Sequence, residues 1–97
     1  MTSWDQALAG KTEVKALHSN DYQWHEVAVW TDGVQFYWAE DGGCSYDSFG
    51  DYLNADDLKV LDSPDSAAFR EAVAGAYEMS PRDRVEFVAD VRKAMAA

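Results

Sequence analysis

Two runs rich in Val, Trp, Tyr and Phe flank Asp32-Gly33, between Tyr22 and Glu40. Aromatic and β-branched residues favour strands, and Asp-Gly is the sequence of a tight type I′ hairpin. No other feature constrains the fold as much. With a two-residue loop, Thr31 faces Val34, Val29 faces Phe36 and Val27 faces Trp38. Val27, Val29, Val34, Phe36 and Trp38 then share one face. Trp24, Glu26, Ala28, Trp30, Gln35 and Tyr37 share the other. A hairpin alone is marginal in water, so the rest of the chain must cover it.

Lys11 to His18 alternates polar and apolar residues, with Thr12, Val14 and Ala16 set against Glu13 and Lys15. That pattern predicts a first strand. Asn20-Asp21 supplies the turn into the hairpin. Upstream, Ser3 as N-cap with Gln6 three residues on predicts a short N-terminal helix that stops at Gly10. Asp41 to Tyr52 has three glycines and no period, and reads as a loop. Asn54 to Leu58 opens a short helical turn. Ser63-Pro64 and Ser80-Pro81 are helix starts. Ala68, Phe69, Ala72, Val73, Ala76 and Tyr77 follow the first at helical spacing, and Arg84, Phe87, Val88, Val91 and Met95 follow the second. The expected fold is a small α+β domain spanning residues 1–97. A three-stranded antiparallel meander (11–18, 22–31, 34–40) packs against a C-terminal helical hairpin (64–79, 81–95).

Charge narrows the function. The 97 residues carry 18 Asp+Glu against 8 Lys+Arg, a net charge of −10. Direct binding to nucleic acid or an anionic membrane is excluded as an expectation, because phosphate contacts need Lys and Arg. Residues 16–58 hold nine acids and no Lys or Arg, and nine of the thirteen aromatics fall between Tyr22 and Tyr52. The acidic segment is also the aromatic segment. Cys44 is the only cysteine, so no intramolecular disulfide forms. The first residues lack a basic and apolar leader, and no apolar run approaches the roughly 18–20 residues that span a bilayer. A cytoplasmic protein is expected.

Catalysis and metal binding find little support. A nucleophilic thiolate needs cationic neighbours, yet Cys44 lies among Asp41, Asp47 and Asp51. His18, His25, Cys44 and Asp41 are ligand types without metal-site spacing. A cross-strand His25–Glu40 pair is the simpler reading. Asp47-x-x-x-Asp51 lacks the alternating ligands and central glycine of a calcium loop. The chain is expected to be no enzyme, with no cofactor and no metal.

The second sheet face leaves two readings. The N-terminal helix, with Trp4 and Leu8, or the 41–58 loop folds over Trp24, Trp30 and Tyr37; or these aromatics stay exposed as binding anchors. Trp and Tyr are enriched among interface hot spots. In the second reading Trp24, Trp30 and Tyr37 anchor a partner, with Glu26, Asp32, Glu40 and Asp41 as the charged surround. An acidic rim favours a partner with a basic surface. The alternatives are an acidic mimic of nucleic acid, which needs carboxylates lined along one face, and self-association through the same aromatic face.

The stretch Val34-Gln35-Phe36-Tyr37-Trp38-Ala39-Glu40-Asp41-Gly42-Gly43-Cys44-Ser45 resembles a family of small uncharacterised proteins of actinobacteriophages. The family pattern has a Trp-containing strand, then a strand ending in Tyr-Trp or Tyr-x-Trp. Acidic and small residues, Gly-Cys-Ser-Cys and a Leu-x-x-Leu-like turn follow. The likeness covers residues 22–61, and Tyr46 stands where the second Cys is expected. The departure removes any paired-thiol or metal site that such cysteines would form. The resemblance implies no activity. It implies only a phage accessory protein acting in the cytoplasm of an actinobacterial host. The acidic, aromatic surface of residues 22–52 adds the expectation that it binds a host protein.

Overall fold

The computed structural model describes residues 2–19, 22–76 and 79–97. The protein is α+β. Helix α1 (Ser3–Leu8) precedes strands β1 (Thr12–His18), β2 (Gln23–Thr31) and β3 (Phe36–Cys44). A single 3-10 turn (Ala55–Asp57), strand β4 (Lys59–Leu61) and helices α2 (Ala67–Gly75) and α3 (Pro81–Ala96) follow. The sheet has four antiparallel strands in the order β1-β2-β3-β4, one more than the expected meander. The three-residue β4 pairs with Phe36–Trp38, and is too short to show alternation in sequence.

The hairpin forms in a different register. Thr31 faces Phe36, Val29 faces Trp38 and Val27 faces Glu40, so four residues, Asp32 to Gln35, make the loop. The Asp32 side chain drives the change. Its Oδ1 accepts the backbone N–H groups of Val34 and Gln35, both at 2.8 Å. Those bonds replace the ladder pairing that a two-residue turn would supply. The register slips by two residues, one full pleat period, so most face assignments survive. Val34 does not; it stands exposed in the loop.

The helical face holds the larger core: Leu17, Val27, Val29, Trp38 and Leu61 against Phe69, Val73, Phe87 and Val91. A bulge at Val14, between Glu13 and Lys15, re-aims β1. Val14 joins this core while Ala16 packs on the opposite face, which splits the set expected from alternation. Helix α3 starts as expected, with Ser80 Oγ accepting the Asp83 N–H and Pro81 in the first turn. Helix α2 starts later than expected, because Ser63 and Pro64 form a turn in which Ser63 accepts the N–H groups of Asp65 and Ser66. The Asn20-Asp21 turn and Tyr77 lie outside the described residues. Helix α1 also shifts by one: Thr2 is the N-cap and Asp5 closes the capping box.

The second face is covered too. Ala16, Ala28 and Ala39 pair across β1, β2 and β3 as one row. Their small side chains leave room above the sheet. Trp4 from α1 and Phe49 from the β3–β4 connection fill that room beside Trp30. Trp4 meets Trp30 edge-to-face at 5.7 Å, and Phe49 lies 5.8 Å from both rings and 6.4 Å from Trp24. Gly50 completes the seat. Its φ is +92°, and a Cβ there would lie 2.5 Å from the Trp4 indole nitrogen.

Trp30→Ala is expected to remove about 3–5 kcal/mol, as large buried-to-small changes do. That is much of the margin of a small domain. Urea denaturation followed by circular dichroism measures it.

Candidate protein-binding surface

The residues expected to anchor a partner are mostly internal. Trp24 and Trp30 are 8% and 7% exposed, beneath α1 and the β3–β4 connection. Trp24 donates its indole N–H to the Cys44 carbonyl at 2.9 Å and stacks on the His18 ring. Neither indole is an exposed anchor, because the Trp4–Phe49 cover closes over both. Tyr37 is half-buried at the other end of that face. Its hydroxyl donates to Asp32 Oδ2 at 2.8 Å, and Lys11 Nζ sits 4.8 Å over its ring.

The charged surround also works internally. Asp32 caps the hairpin loop, and those backbone N–H groups and the Tyr37 hydroxyl hold its carboxyl down to about 2. Asp41 Oδ2 accepts the Gly50 N–H at 2.9 Å, which ties the β3–β4 connection to the sheet. Glu26 bonds His18 Nδ1 at 2.7 Å; burial raises its pKa, and the His18 bond opposes that rise. Glu40 is exposed and pairs with His25 Nε2 at 3.2 Å. The expected His25–Glu40 pair therefore forms, diagonally rather than directly opposite. Among the described residues, no three His, Cys, Asp or Glu side chains are grouped to hold a metal ion. No helix of the described residues is long and apolar enough to cross a membrane.

Exposed aromatics do occur, at positions that sequence reasoning passed over. Tyr22, Tyr46 and Tyr52 are 68%, 88% and 74% exposed. Strand β3 does not end at Glu40 as expected; it continues to Cys44, which pairs with Gln23. Tyr22 therefore precedes β2, and Tyr46 follows β3, at the same end of the sheet. Tyr52 joins them through Asp47. The Tyr52 hydroxyl donates to Asp47 Oδ1 at 2.9 Å, while Asp47 Oδ2 accepts the Cys44 N–H at 3.0 Å and faces its Sγ at 3.4 Å. These bonds, the Cys44 N–H first, hold the Asp47 carboxyl below its ordinary value, and the same carboxylate raises the Tyr52 hydroxyl. Gly43 allows this closure, since a Cβ there would meet the Asp47 side chain at 2.7 Å. Asp51 caps the next turn through the Ser48 N–H. The signal in sequence was the loop itself: its tyrosines sit outside any alternating pattern, so no core position claims them.

The arrangement puts exposed tyrosines and aspartates together at one end of the sheet. Tyr46 and Tyr52 stand on a loop braced by carboxylates, and Tyr22 stands just before β2 at the same end of the sheet. The Cys44 thiol faces the Asp47 carboxylate.

Acid sensitivity follows from the same bonds. The Asp32 pKa lies below its ordinary value of 3.8. Its contribution is complete above that value and is lost as pH falls toward about 2. Asp32→Ala is expected to lower the melting temperature at neutral pH and to weaken the pH dependence of melting in that acid window. Thermal melts of both proteins across the window check it.

No protein-family model, curated protein or solved structure matches this chain.

Proposed function

We propose that this is a non-enzymatic accessory protein that binds another protein through the acidic, tyrosine-bearing end of its sheet. The observation that carries the reading is the exposure of Tyr22, Tyr46 and Tyr52 beside Asp47 and Asp51. Tyrosine gives a large contact area with a polar tip at low conformational cost, which suits it to interfaces. The surrounding segment carries no Lys or Arg, so the partner presents a basic surface. The likeness of residues 34–45 to actinobacteriophage proteins supports a phage protein whose partner is a host protein in the host cytoplasm. The anchoring role moves from Trp24 and Trp30 to the tyrosines, because the indoles are needed inside.

Nucleic-acid mimicry is less favoured. Asp32, Asp41, Asp47, Asp51 and Asp57 each accept backbone N–H bonds in their own or neighbouring turns. Those bonds engage the carboxylates in holding the loops, which leaves them less free to stand in for phosphates.

Capture from an actinobacterial host lysate with wild type and with Tyr46→Ala tests the reading. An exposed substitution should change stability by less than about 0.5 kcal/mol. Loss of a hot-spot ring should cost about 2 kcal/mol or more of binding. A host protein retained by wild type and lost from Tyr46→Ala supports the proposal. Identical recovery by both folded proteins contradicts it, and recovery abolished by duplex DNA transfers it to mimicry.

A further inference from the structure

A second surface lies on the other side of the molecule. Helices α2 and α3 leave a groove of about 450 Å³ between their outer faces. Val73, Val85 and Val88 line its apolar part, and Arg70, Arg84 and Arg92 line the rest. Three guanidiniums around one apolar groove are unexpected on a chain of net charge −10.

The arginines divide between its two ends. At one end Asp65 takes Arg92 in a two-pronged pair, at 2.6 and 2.9 Å, and Arg70 at 3.2 Å. These guanidiniums therefore already receive one carboxylate. At the other end Arg84 is poorly satisfied. Its Nη1 reaches the Ala74 carbonyl at 3.3 Å, and its Nε is buried with no acceptor. A buried donor left unpaired is costly, so a carboxylate that draws Arg84 into a two-pronged pair relieves that cost. Arg84 and Arg92 are eight residues apart on α3, about 12 Å along its axis.

We propose that this groove binds an acidic amphipathic helix of a partner protein. The groove is open along about three turns of α3, which suits an elongated occupant more than a compact one. Its pattern sets the partner's: an apolar stripe on Val73, Val85 and Val88, bracketed by carboxylates two turns apart. The inference does not depend on the tyrosine surface. It gives the protein two surfaces of opposite charge preference, as in a bridge between partners.

The test uses the full chain and a fluorescein-labelled helical peptide with a leucine stripe and two glutamates eight residues apart. A control peptide carries lysines in place of the glutamates. Fluorescence anisotropy should show saturable binding of the glutamate peptide and at least about tenfold weaker binding of the control. Arg84→Gln should weaken the glutamate peptide by about tenfold or more. Should Arg84→Gln disturb the end of α2, Val85→Glu decides: Val85 is 70% exposed, so the fold stands, and the added carboxylate should abolish binding. Tyr46→Ala should bind the peptide as wild type does. Equal binding of both peptides, no saturable binding, or an unchanged affinity in folded Val85→Glu would overturn the proposal. Displacement by dodecanoate at equal concentration would reassign the groove to a small amphiphilic anion. Wild-type self-association abolished by Arg84→Gln would reassign it to a second copy. Either result would overturn the peptide reading.

Discussion

The packing of Trp4 and Phe49 on the Ala16-Ala28-Ala39 row determines which parts of this protein are interior. A sheet that carries indoles on one face and valines on the other needs two covers. The helices supply the first. The second is built from a six-residue helix and an irregular connection, neither of which is stable alone. Both are held by what they bury. The alanines make the depth, Trp4 and Phe49 fill it, and Gly50 lets the chain pass close over the Trp4 ring. Aromatic pairs in edge-to-face and tilted contact add about 0.5–1.5 kcal/mol each beyond the area they bury.

This second cover explains the acidic middle of the chain. Irregular connections lack ladder partners for their backbone N–H groups, and buried or half-buried orphans are costly. Aspartates meet that need here. Asp41 pins Gly50, Asp47 closes on Cys44, Asp51 caps Ser48, and Asp57 caps Asn54. Much of the charge that looks like a binding signal in sequence therefore arises from turn chemistry. Tyr46 and Tyr52 protrude from the outer edge of those turns, and Tyr22 is exposed at the same end of the sheet. Tyr46 and Tyr52 are displayed because their loop is braced, and the loop is braced because the carboxylates are spent inward.

The sequence made the α+β class and the strand-forming runs readable. Residue patterns of period two and 3.6 also located the helical core face, and Ser80-Pro81 marked the start of α3. Other features were out of reach for identifiable reasons. The hairpin register depended on a choice between Asp-Gly turn geometry and an Asp32 side-chain cap, which sequence alone leaves open. The bulge at Val14 breaks alternation within a run that reads as regular. Strand β4 is three residues long. The site was misread where two readings hinged on long-range contact: whether Trp4 and the 41–58 segment return to the sheet. They do, so Trp24 and Trp30 are core, and the tyrosines in the aperiodic stretch take their place at the surface. The arginines of the groove were legible only as scattered charges until α2 and α3 aligned them.

All four tryptophans are buried: Trp4 within the second cover, Trp24 and Trp30 under it, and Trp38 under the helices. Intrinsic fluorescence with acrylamide quenching therefore tests the two-cover fold directly. The native protein should emit at short wavelength, with weak quenching throughout the tryptophan population until denaturant unfolds it. A long-wavelength, readily quenched component in the native state would show that the second face is open, and would return Trp24 and Trp30 to the surface.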